Sequence, residues 1–291
     1  DGYAPFSSRV SLFSVLPKSF DARDYGLTTP VKDQGASGNC WAFATMATLE
    51  HDAISQNPEI ANPDYSESHL VWFSTTPQPV NDNDPSSGDA RVPYKSSPYR
   101  TGASWWLSSG TLANWSGIAL EKDYSFYPYS LDRMGNYSEE SRFDIGSGRV
   151  IESAQALLSM NDAKNWIYDH GGAYFSYCHE DAYYNSSTCS YYCNTAMESN
   201  HGITVIGWDD NYPKDNFRGT KPSGNGAWLC KNSWGNYWGD EGYFWVSYYD
   251  KTISEIVGLT SQEYDDSLNK YSYNGIGASA AFGNSSSGSF A

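Results

Sequence analysis

PVKDQGASGNCWAFATMATLE, residues Pro30 to Glu50, decides how the rest of the chain is read. Its first part carries the turn formers Asp33, Gln34, Gly35, Ser37 and Gly38. From Cys40 it changes to Cys-Trp-Ala-Phe-Ala-Thr-Met-Ala-Thr-Leu, apolar on nearly every side, with good helix formers and no Gly or Pro. Such a run predicts a helix enclosed by the core, fed by a loop that sets Cys40 in the first turn. The unpaired N–H groups there carry partial positive charge, which favours thiolate over thiol. Most free cysteines are simply small buried hydrophobes. Gln34, on the feeding loop, argues for more. Its side-chain amide and the first N–H groups of the helix can converge beside the sulfur, which is how an oxyanion hole is assembled.

QGASGNCWAF resembles the active-site segment of the papain family of cysteine peptidases, whose pattern is Q-G-x-C-G-S-C-W-A-F. Two distant blocks fit the same family, as expected where nucleophile and base meet in space rather than in sequence. NHGITVIGWDDNY carries His201, and KNSWGNYWGDEGYFWVSY carries Asn232 and Trp234. LPKSFDARDYG, from Leu16, is similar to the start of the family's mature enzymes. YSESHL, from Tyr65, is similar to a family helix start and reads as a capping box. The resemblance covers roughly Leu16 to Leu259.

The resemblance implies a Cys-His-Asn triad. Cys40 is the nucleophile, and His201 holds it as thiolate and then protonates the leaving amine. Asn232 accepts a hydrogen bond from the other ring N–H of His201, and Trp234 covers that bond. Gln34 and the Cys40 backbone N–H stabilise the oxyanion, while Trp41 reads as core packing beside the nucleophile. Gly102 matches one of two family glycines whose backbone pairs with an extended polypeptide substrate. The implied reaction is endopeptidase hydrolysis of peptide bonds through a thioester, with no metal or organic cofactor. Transpeptidation through the same thioester, and a catalytically silent papain-like binding domain, are the alternatives. His51, His69, His170 and His179 read as structural or surface residues.

With 291 residues, 39% hydrophobic and 16% aromatic, the chain can bury a sizeable core. A net charge of -16 argues against nucleic acid or an anionic membrane as partner. No apolar run approaches the ~20 residues of a membrane span, so no membrane insertion is expected. The chain opens at Asp1 without methionine or a signal-like segment, as expected of a processed form. Apart from Cys40 there remain Cys178, Cys189, Cys193 and Cys230, an even number that allows three pairings. Disulfides among them imply an extracytoplasmic setting, and so a secreted or cell-surface protein. The family usually has a second cysteine three residues before the nucleophile, but Ser37 stands there. With the tyrosine-rich insertions, this looks most like the bacterial secreted or surface branch. A zinc site at Cys178, His179, Cys189 and Cys193 is the weaker reading, because no C-x2-C pair is present. NDNDPSSGD, residues 81–89, resembles an acidic calcium loop but lacks the EF-hand order, and reads as a solvated loop. The N-x-S/T patterns at Asn114, Asn136, Asn185 and Asn284 arise by chance in a chain rich in Ser and Asn.

Helices are expected over residues 40–56, Ser66 to Phe73, Ser104 to Trp115 and Asn161 to His170. Strands are expected at Arg149 to Ile151, Ala173 to Tyr177, Gly202 to Trp208, Ala227 to Lys231 and Tyr243 to Tyr248. The fold class is therefore α+β, and the resemblance makes it the two-lobed papain-like fold. A helical lobe (about 30–123) and a strand-rich, β-barrel-like lobe (about 124–260) flank the cleft within a peptidase domain spanning 16–260. Residues 1–15 read as an N-terminal strap or propeptide remnant, and 261–291 as a Ser/Gly-rich linker or the start of a further domain.

Overall fold

The computed structural model describes residues 16–76, 97–113 and 116–265. Residues 1–15, the acidic 81–89 loop, Asn114, Trp115 and the tail from 266, with Asn284, lie outside them.

Helix α1 (Cys40–Gln56) is the buried element expected from its composition, and every residue from Trp41 to Ser55 except Ala47 is buried. It ends at Asn57, before Pro58. In α2 (Glu67–Thr75) the Ser66 hydroxyl accepts the His69 N–H at 3.0 Å, which ties down one of the unpaired donors of the first turn. Helix α3 (Trp105–Ala113) follows, and α4 (Met160–His170) is capped by Ser159 and closed by Gly171 in the left-handed conformation.

The strands join in one nine-stranded sheet. They are β1 (Ser19–Asp21), β2 (Arg149–Ala156), β3 (Ala173–Tyr177), β4 (Tyr184–Asn185), β5 (Ser190–Tyr191), β6 (His201–Asp209), β7 (Ala227–Lys231), β8 (Tyr243–Ser247) and β9 (Glu255–Glu263). Their order is β2-β9-β3-β6-β7-β8-β5-β4, with β1 pairing beside β6. Strand β9 was not expected, because its polar Thr260 and Ser261 interrupt the apolar pattern. Ser261 is buried nonetheless: its N–H and hydroxyl donate to Asp52 of α1 at 2.7 and 3.1 Å.

Helix α1 lies between two cores. On one side Trp41, Leu49, Leu70, Trp105 and Leu112 pack together. On the other, Phe175, Ile203, Val205, Trp208 and Phe244 fill the body of the sheet. The disulfides expected among Cys178, Cys189, Cys193 and Cys230 are not formed, since all five cysteines are free thiols. Cys230 sits inside the sheet opposite Val205 and Phe244, with no cysteine across from it. Cys178 and Cys193 are instead docked by their backbone N–H groups on the side chains of Thr252 and Asp250.

A buried ionic cluster ties the feeding loop to the helices. The Lys32 amine donates to Glu50 at 3.0 Å, to Glu67 at 2.8 Å and to the Tyr65 carbonyl at 3.0 Å, and pairs with Asp64 at 2.8 Å. Glu50 and Glu67 have almost no solvent contact. Removing the cation leaves two buried acidic side chains without their shared donor, so Lys32→Met is expected to cost about 3–5 kcal/mol, seen as a lower urea midpoint at unchanged slope. Burial also pushes the Glu67 carboxyl from its ordinary value up to about 8, although Lys32 pulls it down. A folded-state pKa above the unfolded one gives stability that is complete below the unfolded value and is lost as pH rises through the folded one. The urea midpoint should therefore fall between pH 5 and pH 8, and Glu67→Gln should flatten that slope; equal midpoints at both pH values in the unaltered protein would contradict it.

Candidate active site

Cys40 is the first residue of α1, with Asn39 at the cap position. Asn39 does not cap with its side chain; its amide turns away and donates to the carbonyls of Pro98 and Thr101 at 3.4 and 3.2 Å. The N–H groups of Ala42 and Phe43 donate to the Asn39 carbonyl, which leaves those of Cys40 and Trp41 to act on the thiol. The backbone N–H groups of Gly202, Trp41 and Cys40 itself pull the Cys40 pKa down, but burial outweighs them and raises it above its ordinary value. The thiolate expected from the helix end alone is therefore opposed by desolvation.

Strand β6 brings His201 to the same place. A Cβ on Gly202 would press on the Tyr174 hydroxyl at 2.7 Å and would touch the Trp41 Cα at 3.4 Å, so the strand runs within van der Waals reach of the start of α1. His201 Nε2 and Asn232 Oδ1 are 2.8 Å apart. A carboxamide oxygen only accepts, so Nε2 carries the proton, and Nδ1 of the neutral ring is left bare. Trp234 stacks on the imidazole, with centroids 4.6 Å apart and planes inclined by 24°. His201 is buried, and that burial lowers its pKa to about 4 against the opposing bond to Asn232.

Gln34 is clamped from three directions. Its backbone N–H donates to the Ser233 carbonyl at 2.8 Å, its Oε1 accepts the Ser233 hydroxyl at 2.7 Å, and its Nε2 donates to the Ser37 carbonyl at 2.9 Å. An amide nitrogen has two N–H bonds, and the second is the one that could meet an oxyanion. Ser37, where a family cysteine was expected, accepts the Asn39 N–H on its hydroxyl at 3.4 Å. Gly35 has φ +55°, and a Cβ there would run into the Pro128 carbonyl, so the loop depends on this glycine. Gly102 lies beside Gly38 and has open space where a Cβ would stand. Trp41 is fully buried, and its indole N–H donates to Thr101 at 3.0 Å.

The structure thus gathers Gln34, Cys40, His201, Asn232 and Trp234. It adds two residues that sequence reasoning did not pick out. Ser233, the clamp on Gln34, was already inside the quoted NSW block. His179 was read as structural or surface, yet it meets Trp234 edge-on at 4.8 Å, lies 6.3 Å from His201 and bonds the Tyr177 hydroxyl through Nδ1 at 2.7 Å. Its signal is the pairing of Tyr177 with His201 across β3 and β6, which keeps His179, two residues beyond Tyr177, near the site. Among the other histidines, His69 bonds the Ser141 carbonyl, His170 bonds Asp52, and His51 is buried beside Lys231. Among the described residues no three His, Cys, Asp or Glu side chains converge as a metal-ligand set.

Comparison with known proteins bears on the family and the fold. A family profile described as papain family cysteine protease matches residues 16–90 and 99–263. A probable cysteine protease of Arabidopsis thaliana, RD19B, is 27% identical over 260 residues, which are 84% of this chain and 64% of that protein. The solved structure of the clostridial cysteine protease Cwp84 after propeptide cleavage superposes with a TM-score of 0.67 at 30% identity, covering 88% of this chain and 61% of that one. A second structure holds the cysteine protease and lectin-like domains of Cwp84, described as a surface layer associated protein of Clostridium difficile. It gives a TM-score of 0.66 at 28% identity, over 87% of this chain and 54% of that one. The chain therefore spans less than two thirds of the length of these relatives. With the papain profile running through both halves of the described fold, the chain belongs to the papain family of cysteine proteases.

Proposed function

We propose that this chain is a cysteine endopeptidase that hydrolyses peptide bonds through a thioester at Cys40. The observation that carries this reading is Cys40 at the start of α1 beside the Gly202 N–H, with the neighbouring His201 held by Asn232 at 2.8 Å and roofed by Trp234. In the proposed reaction the Cys40 proton passes to the bare Nδ1 of His201 and the sulfur attacks the substrate carbonyl carbon. The carbonyl oxygen takes up the negative charge between the Cys40 N–H and the Gln34 amide. The tetrahedral intermediate collapses, the C–N bond breaks, and the leaving nitrogen takes the proton from His201. Water, deprotonated by the same ring, then attacks the thioester, releasing the acid and restoring the thiol. Asn232 keeps Nδ1 aimed at the sulfur by holding Nε2, as the third member of such triads does.

The substrate in this reading is an extended polypeptide whose backbone runs beside Gly102, where open space is left over the glycine. A secreted or surface-attached setting is part of the same reading. It is supported by the likeness to a surface layer associated protease and by the extracytoplasmic habit of the family.

Cleavage of a denatured protein under mild reductant tests the reading. The unaltered chain should release fragments, and Cys40→Ala, with its fold intact, should release none; fragments from both would remove Cys40 from the reaction. Gln34→Ala should keep substrate binding and lower kcat about 10²–10³-fold, the usual cost of one lost oxyanion donor. Ser233→Ala leaves the amide in place and frees its rotation, so its kcat should fall by less. Equal losses in the two variants, followed in the same peptide assay, would place Gln34 among structural residues.

A further inference from the structure

The two most exposed aromatic side chains among the described residues both stand at the mouth of this site. Tyr237 is 99% exposed and Tyr129 is 79% exposed, while the next aromatics reach only 43%. Aromatic rings bury more apolar area than most side chains and are enriched where a partner covers them, so such a pair invites the question of what does so here.

Their position follows from the loop and strand connections. If His201 protonates the departing amine, as proposed above, the leaving half of a peptide lies on the Trp234 side of Cys40. That side has two walls. One is the 33–36 loop, where Asp33 bridges to Trp234 and the Gly235 N–H donates to the Lys32 carbonyl at 3.1 Å. Tyr129 stands behind this wall. Its neighbour Pro128 accepts the Ala36 N–H at 3.3 Å, and its hydroxyl donates to Asp33 Oδ2. The other wall is the turn that directly follows Trp234, and Tyr237 projects from it with no cover from the fold. The hydrogen bond to Asp33 raises the Tyr129 pKa, and Tyr237 adds a smaller push through space, so the two phenols share one neighbourhood.

We propose that Tyr129 and Tyr237 form an aromatic clamp for the leaving-group side of a polypeptide substrate, selecting apolar or aromatic side chains beyond the scissile bond. The inference rests on the peptidase reading and adds a preference to it. The Asp33 carboxylate at the base of the clamp, which also accepts the Gly35 N–H at 2.8 Å, disfavours acidic side chains at the same place.

The test compares two peptides with the same acyl side, one continuing past the cleaved bond with Phe, Leu and Tyr, the other with Gly and Ser. The unaltered chain should cleave the first with a kcat/KM about tenfold higher, the order of effect expected for covering an exposed ring. Tyr237→Ala and Tyr129→Ala should each lower that ratio, and the double variant should bring it close to one. Tyr129→Phe, which keeps the ring and loses the bond to Asp33, should keep the ratio. A ratio near one in the unaltered chain overturns the clamp. So does a wild-type ratio in the double variant, whatever its absolute rate. If neither peptide is cleaved, the peptidase reading fails separately, and the clamp is then read from the affinity of Cys40→Ala for the two peptides. The same preference upholds it, and equal affinities overturn it.

Discussion

Helix α1 has no solvent face, and the architecture follows from the need to clothe it. Its apolar residues are covered by α2 and α3 on one side and by the sheet on the other. The harder constraint is the run Glu50-His51-Asp52, three polar residues in sequence, all fully buried. Successive helical residues point about 100° apart, so three of them in a row reach toward different parts of the molecule. Glu50 meets Lys32, the Thr29 hydroxyl and the Tyr65 N–H; His51 meets Lys231 of β7; Asp52 meets His170 of α4 and Ser261 of β9. The partners come from the feeding loop, the chain just before α2, α4 and two strands, so satisfying one short run fixes all of these against the helix that carries Cys40.

The site is a by-product of that packing. Strand β6 must lie close along α1, and Gly202 with Thr204, whose hydroxyl donates to the Ala44 carbonyl at 3.2 Å, allows it to do so. His201, the residue before Gly202 on that strand, is thereby brought toward the start of the helix, where Asn232 and Trp234 hold its ring. The loop before the helix is fastened from two sides. Ser233 holds Gln34, and the Pro128 carbonyl holds the Gly35–Ala36 turn. Gln34 therefore keeps its orientation on a rigid support rather than on a mobile loop, which is what an oxyanion donor requires.

Much of this was legible in the chain because the relevant signals are local. Composition alone marked α1 as buried, Ser66 announced a helix start, and the helix expected over Asn161 to His170 does end at His170, where Gly171 turns left-handed. What escaped depends on partners far away in sequence. Glu50, His51 and Asp52 look like the solvated end of a helix until Lys32, Lys231 and Ser261 are known to arrive from elsewhere. Strand β9 looks too polar for a sheet interior until Asp52 is seen to need its Ser261. His179 looks like a surface histidine in an insertion until the β3–β6 register brings it against Trp234. An even number of cysteines suggested bridges, but parity says nothing of position, and Cys230 faces Val205 and Phe244 instead of another thiol.

The electrostatics of the site bear on the proposed chemistry. Burial raises the Cys40 pKa and lowers that of His201, so each group alone favours its uncharged form. Neither charge needs to form alone, however. Moving one proton from sulfur to Nδ1 creates both charges together, and two unit charges ~4 Å apart attract by about 4 kcal/mol at an effective dielectric of ~20. The surroundings favour the same transfer, since the N–H groups of Gly202 and Trp41 stabilise a thiolate and the bond to Asn232 stabilises an imidazolium. His179 matters here for the charge it avoids. It lies 6.3 Å from His201, and a cation there would oppose the imidazolium. Burial lowers the His179 pKa as well, which keeps that ring neutral and leaves His201 as the place where a positive charge can form.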